Sequence, residues 1–120
     1  MTKARQQAEA RGRKAEEFAA WFLRLKGYSI LEERYRSSYG EIDLIARRGK
    51  LIAFIEVKSR KTDRDARESV TFRQRGRIEK AAVDWLARHK EMNASVRFDV
   101  IAIVRGSLPS HIKDAWRPEA

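Results

Sequence analysis

The sequence predicts one mixed α/β domain, a central mixed sheet flanked by helices in the order α-β-β-β-α-β. Three observations predict it. Two long segments carry apolar residues at helical spacing. Two adjoining extended segments are apolar on both faces, as strands covered by helices on each side must be. A third β-rich run follows the second helix. With 120 residues, 42% of them hydrophobic, the chain has enough apolar side chain for one core and little room for a second. The whole of 1–120 therefore reads as one domain, its first ten residues expected to fray.

Taken in order, residues 4–26 predict a helix, with Ala15, Phe18, Ala19, Phe22, Leu23 and Leu25 on one stripe and Gly27 as its stop. Residues 28–35 contain strand formers and lead into the turn Ser37-Ser38-Tyr39-Gly40. The runs Glu41–Arg47 and Leu51–Lys58 flank Arg48-Gly49-Lys50 and predict a hairpin. One of its faces carries Ile42, Leu44 and Ala46 with Ala53, Ile55 and Val57; the other carries Ile45 with Ile52 and Phe54. Residues 59–70 are polar without periodicity and predict an exposed loop. Thr71-Phe72-Arg73-Gln74 matches a capping box, opening a helix to about His89 with Ile78, Ala81, Ala82, Trp85 and Leu86 on one stripe. Residues 96–104 form the third run, and the tail from His111 to Trp116 adds at most a short element. Trp21, Trp85 and Trp116 lie on or near the apolar stripes and are expected in the core or at an interface.

Composition excludes several functions. There is no Cys, so no disulfide framework and no thiolate metal site, and two His do not make a zinc-hydrolase cluster. No apolar run approaches a membrane span, and the N-terminal residues lack the apolar segment of a secretory signal; the expected location is the cytoplasm. The formal charge is +10, from 27 Lys+Arg against 17 Asp+Glu. Such an excess favours polyanionic partners, nucleic acid first among them.

Asp43, Glu56 and Lys58 interrupt apolar strands. Glu56 and Lys58 are two residues apart and share a face, roughly 6.6 Å from each other along the strand. A two-residue Arg48-Gly49 loop pairs Arg47 with Lys50 and places Asp43 opposite Phe54, diagonal to Glu56 on one face; a slip of one residue would separate the carboxylates. Two converging carboxylates repel, and a hard divalent cation, Mg²⁺ or Mn²⁺, relieves that repulsion. With a lysine beside them, the reaction class is metal-assisted hydrolysis of a phosphodiester. The competing reading is an ordinary Glu56–Lys58 ion pair at a strand end. Around this motif Arg60, Lys61, Arg64, Arg67, Arg73, Arg75 and Arg77, with Arg13 and Lys14, are placed to track a phosphate backbone, although any one of them alone reads as a solvated charge. Tyr35 and Tyr39 read as packing or turn residues, with base stacking as the alternative. His89 and His111 receive no catalytic role.

The stretches Gly40-Glu41-Ile42-Asp43-Leu44-Ile45-Ala46 and Phe54-Ile55-Glu56-Val57-Lys58-Ser59-Arg60 resemble the YraN family of bacterial proteins. So do Gly12-Arg13-Lys14-Ala15-Glu16, Gly27-Tyr28-Ser29-Ile30-Leu31 and Arg97-Phe98-Asp99-Val100-Ile101-Ala102. The resemblance implies a restriction-endonuclease-like fold close in style to Holliday-junction resolvases. It implies that Asp43, Glu56 and the carbonyl of Val57 hold Mg²⁺, that Lys58 assists the attacking water, and that Glu16 is the acid of the first helix. A helix-surface charge is the competing reading of Glu16, and Glu17 faces solvent. Phe72-Arg73-Gln74 departs from the Pro-Arg-Lys of many relatives, so Gln74 is read as a capping residue with any accessory role open. The implied function is a Mg²⁺-dependent endonuclease acting on DNA, branched or single-stranded, with a homodimer implied by likeness to resolvases. The alternatives are a non-cleaving nucleic-acid-binding module in DNA processing and a scaffold that docks an acidic protein.

Overall fold

The computed structural model describes residues 2–118. It contains α1 (Lys3–Leu25), β1 (Ser29–Arg36), β2 (Glu41–Arg48), β3 (Leu51–Ser59), α2 (Asp63–Glu68), α3 (Phe72–Arg88), β4 (Ser95–Ile103) and β5 (Ser110–Trp116). The five strands form one mixed sheet in chain order. Only β3 and β4 run parallel, and α2 and α3 make the crossover between them; a parallel pair needs such a connection. One apolar cluster joins Ala19, Ala20 and Leu23 of α1 to Leu44, Ala46, Ala53, Ile55 and Ile101. The other joins α2 and α3 to Ile45, Ile52, Phe54, Phe98 and Val100. Within it Phe54 stacks on Phe98 at 5.7 Å and Phe98 on Trp116 at 5.3 Å, tying three strands together.

The structure corrects the sequence reading at six places. Residues 3–10 are helical instead of frayed, with Thr2 capping the helix by accepting from the Arg5 amide at 3.2 Å. The supposed loop 59–70 contains α2, capped by Thr62, with Ala66 and Val70 buried; six residues with one buried alanine leave no periodicity to read. The tail forms a full strand, β5.

The hairpin register differs by two residues: Arg48 pairs with Leu51 and Leu44 with Ile55, so Gly49-Lys50 is the turn. Gly49 has φ 61°, and glycine at the first central position suits a type II′ turn. A shift of two keeps every side chain on its expected face. Ile42, however, packs with Ile45 in the α3-side cluster and not with Leu44 and Ala46. Alternation breaks at Asp43. Across from it on β1, between the pairs Glu33–Leu44 and Tyr35–Ile42, Arg34 has φ 55°, unusual for a non-glycine residue in a strand.

The sixth correction concerns α1. Its sheet-facing side chains are two alanines and a leucine, Ala19, Ala20 and Leu23, while Leu25 is 67% exposed and Trp21 45% exposed.

Candidate functional site

The irregular end of the β2–β3 hairpin builds the site. Beyond the Leu44–Ile55 pair the regular register ends, and side chains take over the hydrogen bonds. The Val57 amide donates to Asp43 Oδ2 at 2.8 Å, and the Asp43 amide donates to Glu56 Oε1 at 3.3 Å. Each carboxylate is thereby held against the backbone of the neighbouring strand. Glu56 is only 4% exposed. Burial, followed by the repulsion of Asp43, pushes the Glu56 carboxyl well above the usual range. Burial also raises Asp43, and the negative charge of Glu16 adds to it. Lys58 offsets only part of the negative charge of the pair.

Gln74 completes the arrangement. Thr71 caps α3 by accepting the Gln74 amide at 3.1 Å, as the capping box predicts. The Gln74 side chain turns into the site instead of back to the helix end: Nε2 donates to Glu56 Oε2 at 3.1 Å, and Oε1 accepts from Lys58 Nζ at 3.5 Å. Lys58 is thus aimed along the same face as Glu56 through an amide that reads both groups. This role was invisible in sequence because Gln at that helical position already had a local explanation.

Glu16 is brought to the site's edge. It lines a pocket of about 390 Å³ with Glu9, Arg13, Arg34, Arg36, Glu41, Ile42 and Asp43. Its carboxylate is held by Arg34 Nε at 2.7 Å. Among the described residues no three Asp, Glu or His side chains form a ready metal-binding group, so the centre consists of the Asp43–Glu56 pair with Glu16 turned to Arg34. Those hard oxygen donors fit Mg²⁺ or Mn²⁺ and do not suit a soft metal.

The basic residues divide by partner. Arg13 lines the Glu16 pocket. Arg60 and Lys61 line an open groove of about 940 Å³ beyond Lys58, with Arg105. Arg77 is exposed on α3 and packs so closely against Gly40 that a Cβ there would meet Arg77 Cβ at 3.1 Å. Lys14 and Arg73 are exposed. Arg64 pairs with Glu68 at 2.9 Å in solvent. Arg67 donates to the Ala115 carbonyl at 3.3 Å, and Arg75 donates to the Val70 carbonyl at 3.2 Å and lies over the Trp116 ring; both brace the fold. Tyr35 packs and donates to Asp84 at 2.7 Å, while Tyr39 is exposed.

A buried charged cluster elsewhere has no counterpart in the sequence reading. Asp99 on β4 is fully buried and accepts from Arg97 Nε and a terminal guanidinium nitrogen, both at 2.7 Å, and from the Asp114 amide at 3.0 Å. His111 Nε2 lies 2.7 Å from the same carboxylate, and Lys26 Nζ lies 2.6 Å from His111 Nδ1. The signal was available: Asp99 interrupts an apolar strand just as Asp43 and Glu56 do.

The raised carboxyls make a stability prediction. A carboxyl whose folded value lies above its unfolded one destabilises the fold once pH rises enough to ionise it, and is neutral in effect below about pH 4, where both states are protonated. Glu56→Gln is therefore expected to stabilise the protein by about 1 kcal/mol at pH 8, a gain that vanishes near pH 4. Denaturant melts at the two pH values check it; a net loss at pH 8 would mean the pair is already neutralised by its partners.

A five-stranded mixed sheet flanked by helices makes this a mixed α/β domain, compatible with a restriction-endonuclease-like fold. The family model described as uncharacterised protein family UPF0102 matches residues 15–103. Similar proteins include a UPF0102 protein of Maricaulis maris, 49% identical over 98% of this chain and 94% of its own length. Another, from Paramagnetospirillum magneticum, is 51% identical over 97% of this chain and 94% of its own. A third, from Agrobacterium fabrum, is 49% identical over 93% of each. The chain belongs to UPF0102, the YraN family.

Proposed function

We propose that this protein is a Mg²⁺- or Mn²⁺-dependent nuclease that hydrolyses phosphodiester bonds in DNA, branched or single-stranded. The observation that carries this reading is the buried Asp43–Glu56 pair, under-compensated in charge, with Lys58 tied to it through Gln74. Asp43 and Glu56, helped by the Val57 carbonyl, would hold a divalent ion, which would supply polarisation of a phosphoryl oxygen and a water of lowered pKa. Lys58 offsets the negative charge that grows on the phosphoryl group as water oxygen bonds to phosphorus and the ester oxygen leaves. Gln74 keeps the Lys58 ammonium directed at that position. Arg13 on one side and Arg60 and Lys61 on the other are placed to hold the backbone of a strand crossing the site.

A second reading, a non-cleaving nucleic-acid-binding module, is favoured by one observation: Glu16 is bound to Arg34 and leaves only two carboxylates for metal. Incubation with Mg²⁺ or Mn²⁺ and a panel of duplex, single-stranded, flap and four-way-junction DNAs separates the two. Cleavage supports the nuclease, binding without cleavage supports the module, and no binding at low salt removes both. Backbone contacts also set the salt response. Three phosphate contacts predict roughly a fortyfold loss of DNA affinity between about 50 and 200 mM salt; a flat response in a binding titration would contradict a phosphate-tracking surface.

A further inference from the structure

Helix α1 is apolar on two opposite faces. Ala19, Ala20 and Leu23 meet the sheet. Phe18, Trp21, Phe22 and Leu25 recur at i, i+3, i+4 and i+7 and form a second stripe pointing away from it. Phe18 and Phe22 are half-buried, Trp21 and Leu25 are exposed, and the Phe18 and Trp21 rings stack at 5.5 Å. Three aromatic residues and a leucine on the outer side of a helix are not needed for the fold, and a contiguous patch of this kind marks a contact surface.

The flanking charges indicate what covers it. Glu17 and Arg24 are seven residues, about two helical turns, apart, so both lie along the same margin of the stripe. Both are exposed, and neither has an ion-pair partner among the described residues. In a two-fold contact each residue meets its reciprocal. An antiparallel pairing of α1 with its own copy that sets Trp21 opposite Phe22 also sets Phe18 opposite Leu25. The same alignment brings Glu17 beside Arg24 of the second copy, twice over. In a parallel two-fold contact this margin of one copy lies on the opposite side of the seam from the same margin of the other, so Glu17 and Arg24 would find no reciprocal partners there.

We propose that the outer face of α1 is a self-association surface, packing antiparallel against α1 of a second copy, with Phe18, Trp21, Phe22 and Leu25 as its seam and reciprocal Glu17–Arg24 pairs fixing direction. The seam lies on the side of α1 away from the sheet, so the contact leaves the carboxylate pair uncovered.

The test is sedimentation equilibrium from roughly 1 µM to 1 mM, with circular dichroism to verify folding. Wild type is expected to shift from monomer to dimer with concentration, and Trp21→Glu to remain monomeric throughout. Glu17→Arg and Arg24→Glu, taken singly, are each expected to weaken the dimer about tenfold by placing like charges across the seam. The double variant restores it to within about threefold of wild type. That rescue is specific to a reciprocal antiparallel contact. A monomer at every concentration overturns the proposal, as does a dimer indifferent to Trp21→Glu or a double variant no better than the singles. Monomeric protein that instead binds phosphatidylglycerol vesicles through Trp21 would assign the stripe to a membrane surface and overturn it as well.

Discussion

Asn at position 43 or Ala at position 58 is expected to lower metal-dependent DNA cleavage by about 10²–10⁴-fold, with DNA affinity changed no more than about threefold. The magnitude is that of removing one positioned acid–base or charge-stabilising group. The two variants fail for different reasons, and a second measurement tells them apart. Asp43 would hold the ion, so Mg²⁺ is expected to raise the thermal midpoint of wild type and to leave that of Asp43→Asn unchanged. A ligand at about ten times its dissociation constant stabilises the folded state by about 1.4 kcal/mol. Lys58→Ala removes a positive charge beside the pair and should leave that rise intact or enlarge it. Gln74→Ala, which frees Glu56 Oε2 and loosens Lys58, is expected to fall between wild type and Lys58→Ala in rate. If both Asp43→Asn and Lys58→Ala cleave as wild type does, the activity belongs to a contaminant and the nuclease reading is lost.

The same residues show which parts of the molecule are legible in the chain. Strand β3 could be read because Glu56 and Lys58 stand out against apolar neighbours on a strand covered on both sides, and parity survives an even register error. That is why Asp43 and Glu56 still meet although the turn sits one residue later than the loop composition suggested, which shifts the pairing register by two. Helix α1 was read as a helix for the right reason, yet its interior face was not. Periodicity reports that apolar residues cluster, not which of two opposite clusters meets the sheet. Close approach of a helix to a sheet selects small side chains, so the alanines went inside and the larger rings out. Gln74 was obscured by a sufficient local role, and Asp99 because only Arg97, on its own strand, lies near it in sequence. His111 comes from β5, and Lys26, which meets His111, from α1's C-terminal cap; only tertiary structure brings these two in.

That cluster leads to the largest expected effect on stability. Asp99 lies on β4, is fully buried, and joins β5 to the sheet through His111 and the Asp114 amide. Asp114 itself is held at φ 55°, so the backbone there depends on that acceptor. Asp99→Ala leaves Arg97 and His111 facing an empty, desolvated position, and breaking a buried pair from one side typically costs about 3–5 kcal/mol. For a domain of this length that corresponds to a drop of about 12–20 °C in thermal midpoint, a large part of the whole stability of an ordinary domain. Burial acts to raise the Asp99 carboxyl, but hydrogen bonds from His111 and Arg97 outweigh it and hold the carboxyl below its usual range. A depressed carboxyl adds stability above its unfolded value, and that stability is lost as pH falls through the folded value. Wild type should therefore lose stability steeply below about pH 4, while Asp99→Ala, already without the charge, should show a flatter acid limb. Thermal melts of both proteins between pH 3 and pH 7 decide it. Parallel curves offset by a constant amount would mean that Asp99 matters for packing volume and not for its charge.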